Sequence, residues 1–507
     1  MNQRKIGALL SYLNIFLTIA VQFIYTPIML RILGQAEFGV YSLSESVITY
    51  LGLLNFGFSG SYLKFYSKYK AQDDMLSIKK LNAIYLIVFV IISVLICIGG
   101  YGIVQNVERI IDKTFTENEI HLTKILMTIM TLNMAAMMPN NAFTSITVAH
   151  EKFIFAKGLV LLKNLGNPLL SLPILLLGYG SQGMSYVLLV ITIISLVLNI
   201  YYCKQKLRIG FEFHNLDWSV LKEIFSFSVY IFLWSIVDQL NWQVGKVLLA
   251  NMIGSEAVAT YTIGMQFNYM FMVFSTAISG VFAPQIYNYV YEVDAAKKLT
   301  ALMIKVGRLQ FYVVFFIWIG FVVLGKPFIN LWAGADYDNA YIVGLLLMTP
   351  IVIALMQNVG IEILRAYNKH QMRTLLHLAC ALVNIIISIP LTKMYGEIGC
   401  AIGTCLSTFV SSTLIANYFY SKVINLDIKA FFKELREFIP AISILSVIGA
   451  GVLMFGQINN WLDLVFYSLV CTILYIVVMV RFAFNDYENA LLNQLIAKIK
   501  GKLVKNQ

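Results

Sequence analysis

The fold class of this chain is decided by stretches such as Ala83-Ile-Tyr-Leu-Ile-Val-Phe-Val-Ile-Ile-Ser-Val-Leu-Ile-Cys-Ile-Gly-Gly-Tyr-Gly-Ile-Val104, which contains no charged residue. A helix of about 20 mostly apolar residues is long enough to cross the hydrocarbon core of a membrane.

The composition of the whole chain agrees with this. Of the 507 residues, 59% are hydrophobic and 12% are charged; a soluble domain has roughly 25% charged residues. This composition excludes soluble enzymes, nucleic-acid modules and disordered chains. Because the apolar runs are continuous rather than alternating, it also excludes a membrane β-barrel. We predict an all-α polytopic membrane protein.

Stretches of this kind recur along the whole chain and predict fourteen transmembrane helices. They cover residues 6–33, 38–62, 82–105, 123–147, 154–178, 183–203, 224–253, 255–284, 303–325, 341–364, 373–393, 397–420, 438–455 and 462–483.

The distribution of Lys and Arg predicts which way these helices face. With the N-terminus inside, 29 of the 37 Lys and Arg residues fall in inner segments, seven fall in outer segments, and Lys163 lies within a span. Positive residues accumulate in cytoplasmic loops, so both termini are predicted to be cytoplasmic. The same bias accounts for the net charge of +11, so no nucleic-acid partner is needed to explain it.

The two halves of the sequence resemble each other. Leu33-Gly-Gln-Ala-Glu-Phe-Gly-Val-Tyr41 aligns with Ile253-Gly-Ser-Glu-Ala-Val-Ala-Thr-Tyr261 at an offset of 220 residues. Six predicted spans separate the paired elements, and an even number preserves the direction of each helix. The sequence therefore predicts a parallel repeat, an arrangement found in transporters with a substrate path between the repeats. The further matches are Gly60 with Gly280, Lys152 with Lys369, Asn167 with Asn384, Pro173 with Pro390, and Gly180 with Gly396.

This repeat predicts three regions. Residues 1–210 form an N-terminal six-helix lobe, and residues 211–425 form a C-terminal six-helix lobe. Residues 426–507 add two further helices, which have no partner in the repeat, and a basic cytoplasmic tail.

A motif in the first repeat connects the chain to a known family. The stretch Pro27-Ile-Met-Leu-Arg31-Ile-Leu-Gly34-Gln-Ala-Glu-Phe38-Gly39-Val-Tyr41 resembles the opening signature of bacterial polysaccharide-transport (PST) proteins. These are the Wzx-like flippases of O-antigen and capsule repeat units, members of the MOP superfamily related to MATE exporters and lipid II flippases. The resemblance extends over the whole chain, because the predicted helices form six, six and two, with both termini inside.

The resemblance implies a function and a location. It implies a flippase, not an enzyme, in the bacterial cytoplasmic (inner) membrane. The flippase would carry an undecaprenyl-diphosphate-linked oligosaccharide, such as a lipopolysaccharide O-antigen, capsule or exopolysaccharide repeat unit, by alternating access. Its implied partners are the lipid-linked substrate, membrane lipids and the polysaccharide polymerase or export machinery. No cofactor is expected, although H⁺ or Na⁺ coupling stays open.

Other functions also stay open. A MATE-like exporter of small molecules is one alternative and would favour an acidic, aromatic cavity. A flippase for lipid II or teichoic-acid precursors is another. The longest outer segments contain no recognisable catalytic motif, so no catalytic residue is assigned. No metal site is expected, because the six cysteines form no CxxC pair.

The strongest candidate for substrate binding is Lys163. It lies about 16 Å from the inner end of the predicted fifth span, at 1.5 Å per residue, and thus near the middle of a core about 30 Å thick. A charge there is costly and suggests a functional role. Asn164 and Asn167 lie beside it, and this ammonium and these amides could bind a diphosphate. The alternative is a lysine that pairs with a buried carboxylate or extends toward the interface.

A second polar group lies in the predicted seventh span. Helical spacing predicts that Asp238, Asn241, Trp242 and Gly245 share one face, and Lys246 follows. Asn241, Trp242 and Lys246 are candidates for the substrate cavity.

Two further candidates lie on the first two spans. Arg31 could also line the cavity. Glu45 and Asp238 are candidates for an ion-coupling carboxylate, although each could instead pair with Lys163 or Lys246.

Overall fold

The computed structural model describes residues 3–111, 113–367, 369–490 and 492–494, and every long element in these ranges is a helix. The helices are α1 (Gln3–Thr49), α2 (Phe58–Ala71), α3 (Met75–Asn106), α4 (Glu108–Ile111), α5 (Glu117–Ala149), α6 (Phe153–Leu176), α7 (Gly180–Tyr201), α8 (Ser219–Trp242), α9 (Val244–Met252), α10 (Ser255–Ser279), α11 (Ala283–Tyr289), α12 (Ala295–Trp332), α13 (Asn339–Met348), α14 (Ile351–Met356), α15 (Asn358–Ala366), α16 (His370–Phe409), α17 (Ala416–Lys422), α18 (Ile428–Leu435), α19 (Ile439–Phe455) and α20 (Trp461–Phe482). The all-α prediction is confirmed. The basic tail after residue 494 lies outside the described residues.

Two of the longest helices are broken internally at glycine. In α1, Gly34 has φ 75° and ψ 172°, and in α16, Gly396 has φ 58° and ψ −136°. Both values of φ are positive, a region that glycine enters without the steric penalty of a side chain. Each glycine therefore joins two helical segments, and each segment corresponds to one predicted span.

Nine helical stretches within the described residues are long and apolar enough to cross a membrane, and a bent pair would make ten. Two of the nine, Leu13–Ala71 and Gln371–Lys422, contain 59 and 52 residues. At 1.5 Å per residue each is more than twice the roughly 30 Å of the hydrocarbon core. The prediction of a multi-pass membrane protein is confirmed, whereas the count of fourteen stays a prediction.

The described chain divides into two compact units. One contains the residues up to Ile263 together with Thr374–Ser407, and the other contains Gly264–Arg373 and the residues from Thr408 onward. These boundaries differ from the repeat boundaries at 210 and 425, because Thr374–Ser407 packs with the earlier residues. The three regions drawn from the repeat stay a prediction, since compactness does not test internal symmetry.

In the first unit, buried aromatic residues hold α2 against α3. Tyr62 and Tyr85 are fully buried in one hydrophobic cluster, with their rings 4.9 Å apart and nearly perpendicular. The Tyr62 hydroxyl donates to the side-chain oxygen of Asn82, and the Asn82 amide donates to the carbonyl of Gly210 at 3.0 Å. The chain that follows the sixth predicted span is thereby fixed to α3.

The two repeated stretches found in the sequence pack against each other in this unit. Gln35 Nε2 donates to Thr260 Oγ1 at 2.9 Å. A Cβ atom on Gly39 would lie only 1.9 Å from the carbonyl oxygen of Ser255, so the two backbones approach as closely as glycine allows. The Ser255 hydroxyl also donates to the Glu119 carboxylate. We call the Gln35–Thr260 and Gly39–Ser255 pairs the repeat contact.

Candidate functional site

The candidate site is built on α6, where Lys163 occupies the middle of the helix. Its side chain is half-buried, and within the described part of the chain it has no hydrogen-bond or ion-pair partner. Pro168 lacks a backbone N–H, so the carbonyl of Asn164 loses its usual helical partner. An unpaired ammonium and a released carbonyl therefore lie one residue apart inside a membrane helix.

Amide side chains fix α6 to α1 around this lysine. Asn164 Nδ2 donates to Thr18 Oγ1 at 2.9 Å, and Asn14 Nδ2 donates to the carbonyl of Lys157 at 3.2 Å. Asn167 accepts a hydrogen bond from Ser171 at 3.2 Å. Asn164 and Asn167 therefore already have partners within the protein, whereas Lys163 does not.

Sequence reasoning missed Asn14 and Thr18. The signal was present, because the two residues are four apart and so share one face of a helix. Neither side chain is charged, so neither carries the high insertion cost that marks Lys163.

The second predicted polar group is divided by a helix break. The helix ends at Trp242 and restarts at Val244, with Gln243 between them at φ −109°. Ser46 on α1 donates to the side-chain oxygen of Gln243 at 2.9 Å, which ties the break to α1. The prediction that Asp238, Asn241, Trp242 and Gly245 share one face stays a prediction, because Gln243 keeps right-handed helical backbone angles and its N–H still donates to the carbonyl of Gln239 at 2.8 Å.

The two sides of the break have different environments. Asp238 is exposed, and it accepts a hydrogen bond from the indole N–H of Trp242. Asn241 and Trp242 are half-buried. Gly245 is buried, and a Cβ there would lie 3.0 Å from the thiol of Cys400. Only the part of the group before the break is left uncovered by protein.

Lys246, beyond the break, is enclosed by protein. It is 6% exposed, and the Glu45 carboxylate interacts favourably with its charge. Glu45 itself is exposed. The alternative considered from the sequence, a carboxylate that pairs with a buried lysine, fits this arrangement.

The predicted candidates thus form separate groups. Within the described residues, no hydrogen bond or ion pair joins Lys163 to the Asp238–Trp242 group. Arg31 is exposed on α1, three residues before the break at Gly34. The described residues contain no cluster of three or more His, Cys, Asp or Glu side chains that could hold a metal ion.

The second unit contains an apolar groove. It lies among α12, α19 and α20. Its lining consists of Phe316, Ile319, Gly320, Val323, Leu324, Leu445, Ile448, Gly449, Cys471 and Tyr475. With this lining the groove can accept a hydrocarbon chain.

Comparison with known proteins decides the family. The profile of the family described as "Polysaccharide biosynthesis protein" matches residues 6–290, more than half of the chain. The chain belongs to this family. The resemblance read from residues 27–41 is confirmed.

The chain is similar in sequence to a protein from Bacillus subtilis (strain 168) and similar in fold to several proteins of known structure. The Bacillus protein, "Uncharacterized membrane protein EpsK", is 19% identical over 502 residues, which cover 96% of each chain. The lipid II flippase MurJ, in an inward closed conformation, superposes with a TM-score of 0.74 at 16% identity, over 97% of this chain and 99% of its own. An inward-facing multidrug resistance MATE family transporter of the MOP superfamily has a TM-score of 0.62 at 14% identity, over 82% and 96%.

These likenesses establish that the chain has the same fold as the lipid II flippase and the MATE family transporter. At such low identity they do not identify the substrate. Membership of the polysaccharide biosynthesis family indicates the pathway in which the protein acts. The substrate has to be inferred from the residues of the candidate site.

Proposed function

We propose that this protein is a flippase that carries an undecaprenyl-diphosphate-linked oligosaccharide across the bacterial cytoplasmic membrane by alternating access. The observation that carries the proposal is Lys163, a half-buried cation within a membrane helix that has no carboxylate partner among the described residues. An intramembrane charge without a protein partner is costly. An anionic substrate group, such as a diphosphate, offsets that cost when it binds.

The chemistry of the substrate matches two other features. The groove in the second unit is apolar and suits a lipid chain. Trp242 is half-buried and could pack against a sugar ring. A repeat-unit polymerase or export complex would then receive the flipped product on the far side of the membrane.

The test is a reconstituted flipping assay. Purified protein in vesicles is given a fluorescent undecaprenyl-diphosphate-linked saccharide, and its appearance in the other leaflet is followed. Lys163→Ala should lower the rate by roughly tenfold or more, since a hydrogen bond to a charged group contributes about 1.5–3 kcal/mol. Lys163→Arg should retain part of the rate, because the charge persists with altered geometry.

Lys157→Ala is the matched control, because it removes the same charge from the same helix nearer its predicted cytoplasmic end. It should leave the flipping rate close to that of the unaltered protein. Full activity of Lys163→Ala would contradict the proposal.

The same vesicles separate the alternative substrates. Faster flipping of lipid II or of a teichoic-acid precursor would favour a flippase for those lipids. Efflux of a cationic dye without lipid flipping would favour a MATE-like exporter.

We propose Asp238, rather than Glu45, as the carboxylate for H⁺ or Na⁺ coupling. Asp238 is exposed and its partner, Trp242, is neutral, whereas Glu45 interacts with the charge of Lys246. Asp238→Asn should therefore slow flipping and alter its dependence on pH or Na⁺, while binding of the lipid-linked saccharide persists. An unchanged rate and ion dependence in Asp238→Asn would exclude this role.

A further inference from the structure

A buried arginine lies on α12, in the second unit and outside the candidate site. Arg308 is 2% exposed. Its Nε and Nη2 donate to the two oxygens of Glu488, each at 2.9 Å. Its Nη1 donates to Glu437 at 2.7 Å, and its Nη2 also donates to the carbonyl of Ala483 at 2.9 Å. The guanidinium lies over the ring of Phe438, 4.7 Å from its centroid.

Glu488 is as completely surrounded as its partner. It is 4% exposed. Besides Arg308, the Tyr312 hydroxyl donates to it at 2.7 Å, and so does the backbone N–H of Asn485 at 2.9 Å. Burial acts to raise the pKa of the Glu488 carboxyl, but the hydrogen bonds from Arg308, Asn485 and Tyr312 outweigh it, and the pKa lies below its ordinary value. We call Arg308, Tyr312 and Glu488 the Arg308 cluster.

In the alignment of the two halves, the first half has no arginine at the positions that correspond to Arg308. With offsets between 217 and 220, the residues corresponding to Arg308 are Val88-Phe-Val-Ile91, and all four are apolar. Phe89 is fully buried in α3. The second half also continues beyond its six predicted spans into α19 and α20, which have no counterpart in the first half.

The partners of Arg308 come from both ends of this additional pair of helices. Glu437 and Phe438 immediately precede α19, while Ala483 and Glu488 follow α20. The contacts continue into the membrane span, because the Tyr475 hydroxyl on α20 donates to the carbonyl of Tyr312 on α12 at 2.7 Å. Tyr475 lines the apolar groove.

We infer that the Arg308 cluster is a joint that docks the C-terminal pair α19–α20 onto α12, so that the three helices move as one body and the groove between them keeps its shape. The bidentate Arg–carboxylate geometry fixes an orientation as well as a distance. Removing one partner of such a buried pair leaves the other charge unpaired in a medium of low dielectric constant. The inference does not depend on which substrate the protein carries.

The test measures the distance between α12 and α20 in the full chain by pulsed EPR. Spin labels are placed at Ala301→Cys and Arg481→Cys, two exposed positions, in a protein whose six native cysteines are replaced. The otherwise unaltered protein should give one narrow distance distribution. Glu488→Gln should broaden it or add a second, longer distance.

Glu437→Gln is the matched control, because it removes a carboxylate from the same arginine at a position whose side chain is 55% exposed. It should leave the distribution narrow.

Arg308→Lys covers the case in which Glu488→Gln does not accumulate as folded protein. Lysine keeps the charge but cannot form the bidentate contact, so it should give an intermediate broadening. A distribution in Glu488→Gln or Arg308→Lys as narrow as in the unaltered protein would overturn the inference. Equal broadening in Glu437→Gln would overturn it as well.

Discussion

At the level of the single residue, two lysines inside the membrane spans differ in their burial and in their partners. Lys163 is half-buried and has no partner among the described residues, whereas Lys246 is enclosed and interacts with Glu45. Hydropathy identified both as costly intramembrane charges. Hydropathy could not show which lysine has a charged partner, because the position of a residue along a helix determines its depth in the membrane but not its neighbours.

Stability measurements can distinguish these roles. Glu45→Gln should lower the free energy of unfolding by roughly 1–3 kcal/mol, because the buried Lys246 loses a charged partner. The loss should be smaller than for a fully buried pair, since Glu45 is exposed. The thermal unfolding midpoint in detergent measures the effect.

Asp238→Asn serves as the control, because it also neutralises an intramembrane carboxylate, but one that is exposed and bonded to a neutral indole. Its midpoint should change little. Equal shifts in the two variants would show that Glu45 does not stabilise Lys246 specifically.

At the level of helices, the sequence predicts where they lie better than where they break. The break at Gly34, with its positive φ, falls between the predicted spans 6–33 and 38–62. The interruption at Gln243 was not predicted, and the sequence alone does not show that Ser46 on α1 donates to the Gln243 side chain there.

The close approach at the repeat contact predicts that one methyl group added at Gly39 separates the two segments. In Gly39→Ala the new Cβ would lie 1.9 Å from the carbonyl oxygen of Ser255, so the two backbones must separate. Cross-linking of Gln35→Cys to Thr260→Cys by a short bifunctional maleimide should be efficient in the parent protein and poor when Gly39→Ala is added.

Gly102→Ala is the matched control, since a Cβ at this helical position meets nothing within 4 Å. It should leave the cross-linking yield unchanged. An undiminished yield in Gly39→Ala would mean that the repeat contact tolerates a side chain there.

At the level of the whole molecule, composition and charge distribution determined most of what could be predicted. They indicated a multi-pass helical protein, and the motif at residues 27–41 indicated its family. None of these features indicated that Thr374–Ser407 packs with the earlier residues. An internal repeat shows which segments are similar in sequence, not which segments are in contact.

The predicted orientation in the membrane can be tested on intact cells. In a cysteine-free background, a membrane-impermeant maleimide should label Ala335→Cys from outside and should label Ser67→Cys only after lysis. Both positions are exposed, so accessibility within the protein does not differ between them. Labelling of Ser67→Cys in intact cells would reverse the assigned orientation.

The attachment of Gly210 to Asn82 implies that the polypeptide can be produced as two separate pieces. The chain is tied to α3 at Gly210, and the Asp217 carboxylate accepts hydrogen bonds from the backbone and side chain of Ser219 just before α8. Between these points His214 and Asn215 are exposed. A backbone interrupted after Asn215 would therefore keep the first cut end attached to α3, and exposed segments of this kind tolerate interruption best. Two separately translated halves should reassemble into an active protein, whereas adding Asn82→Ala should prevent the reassembly.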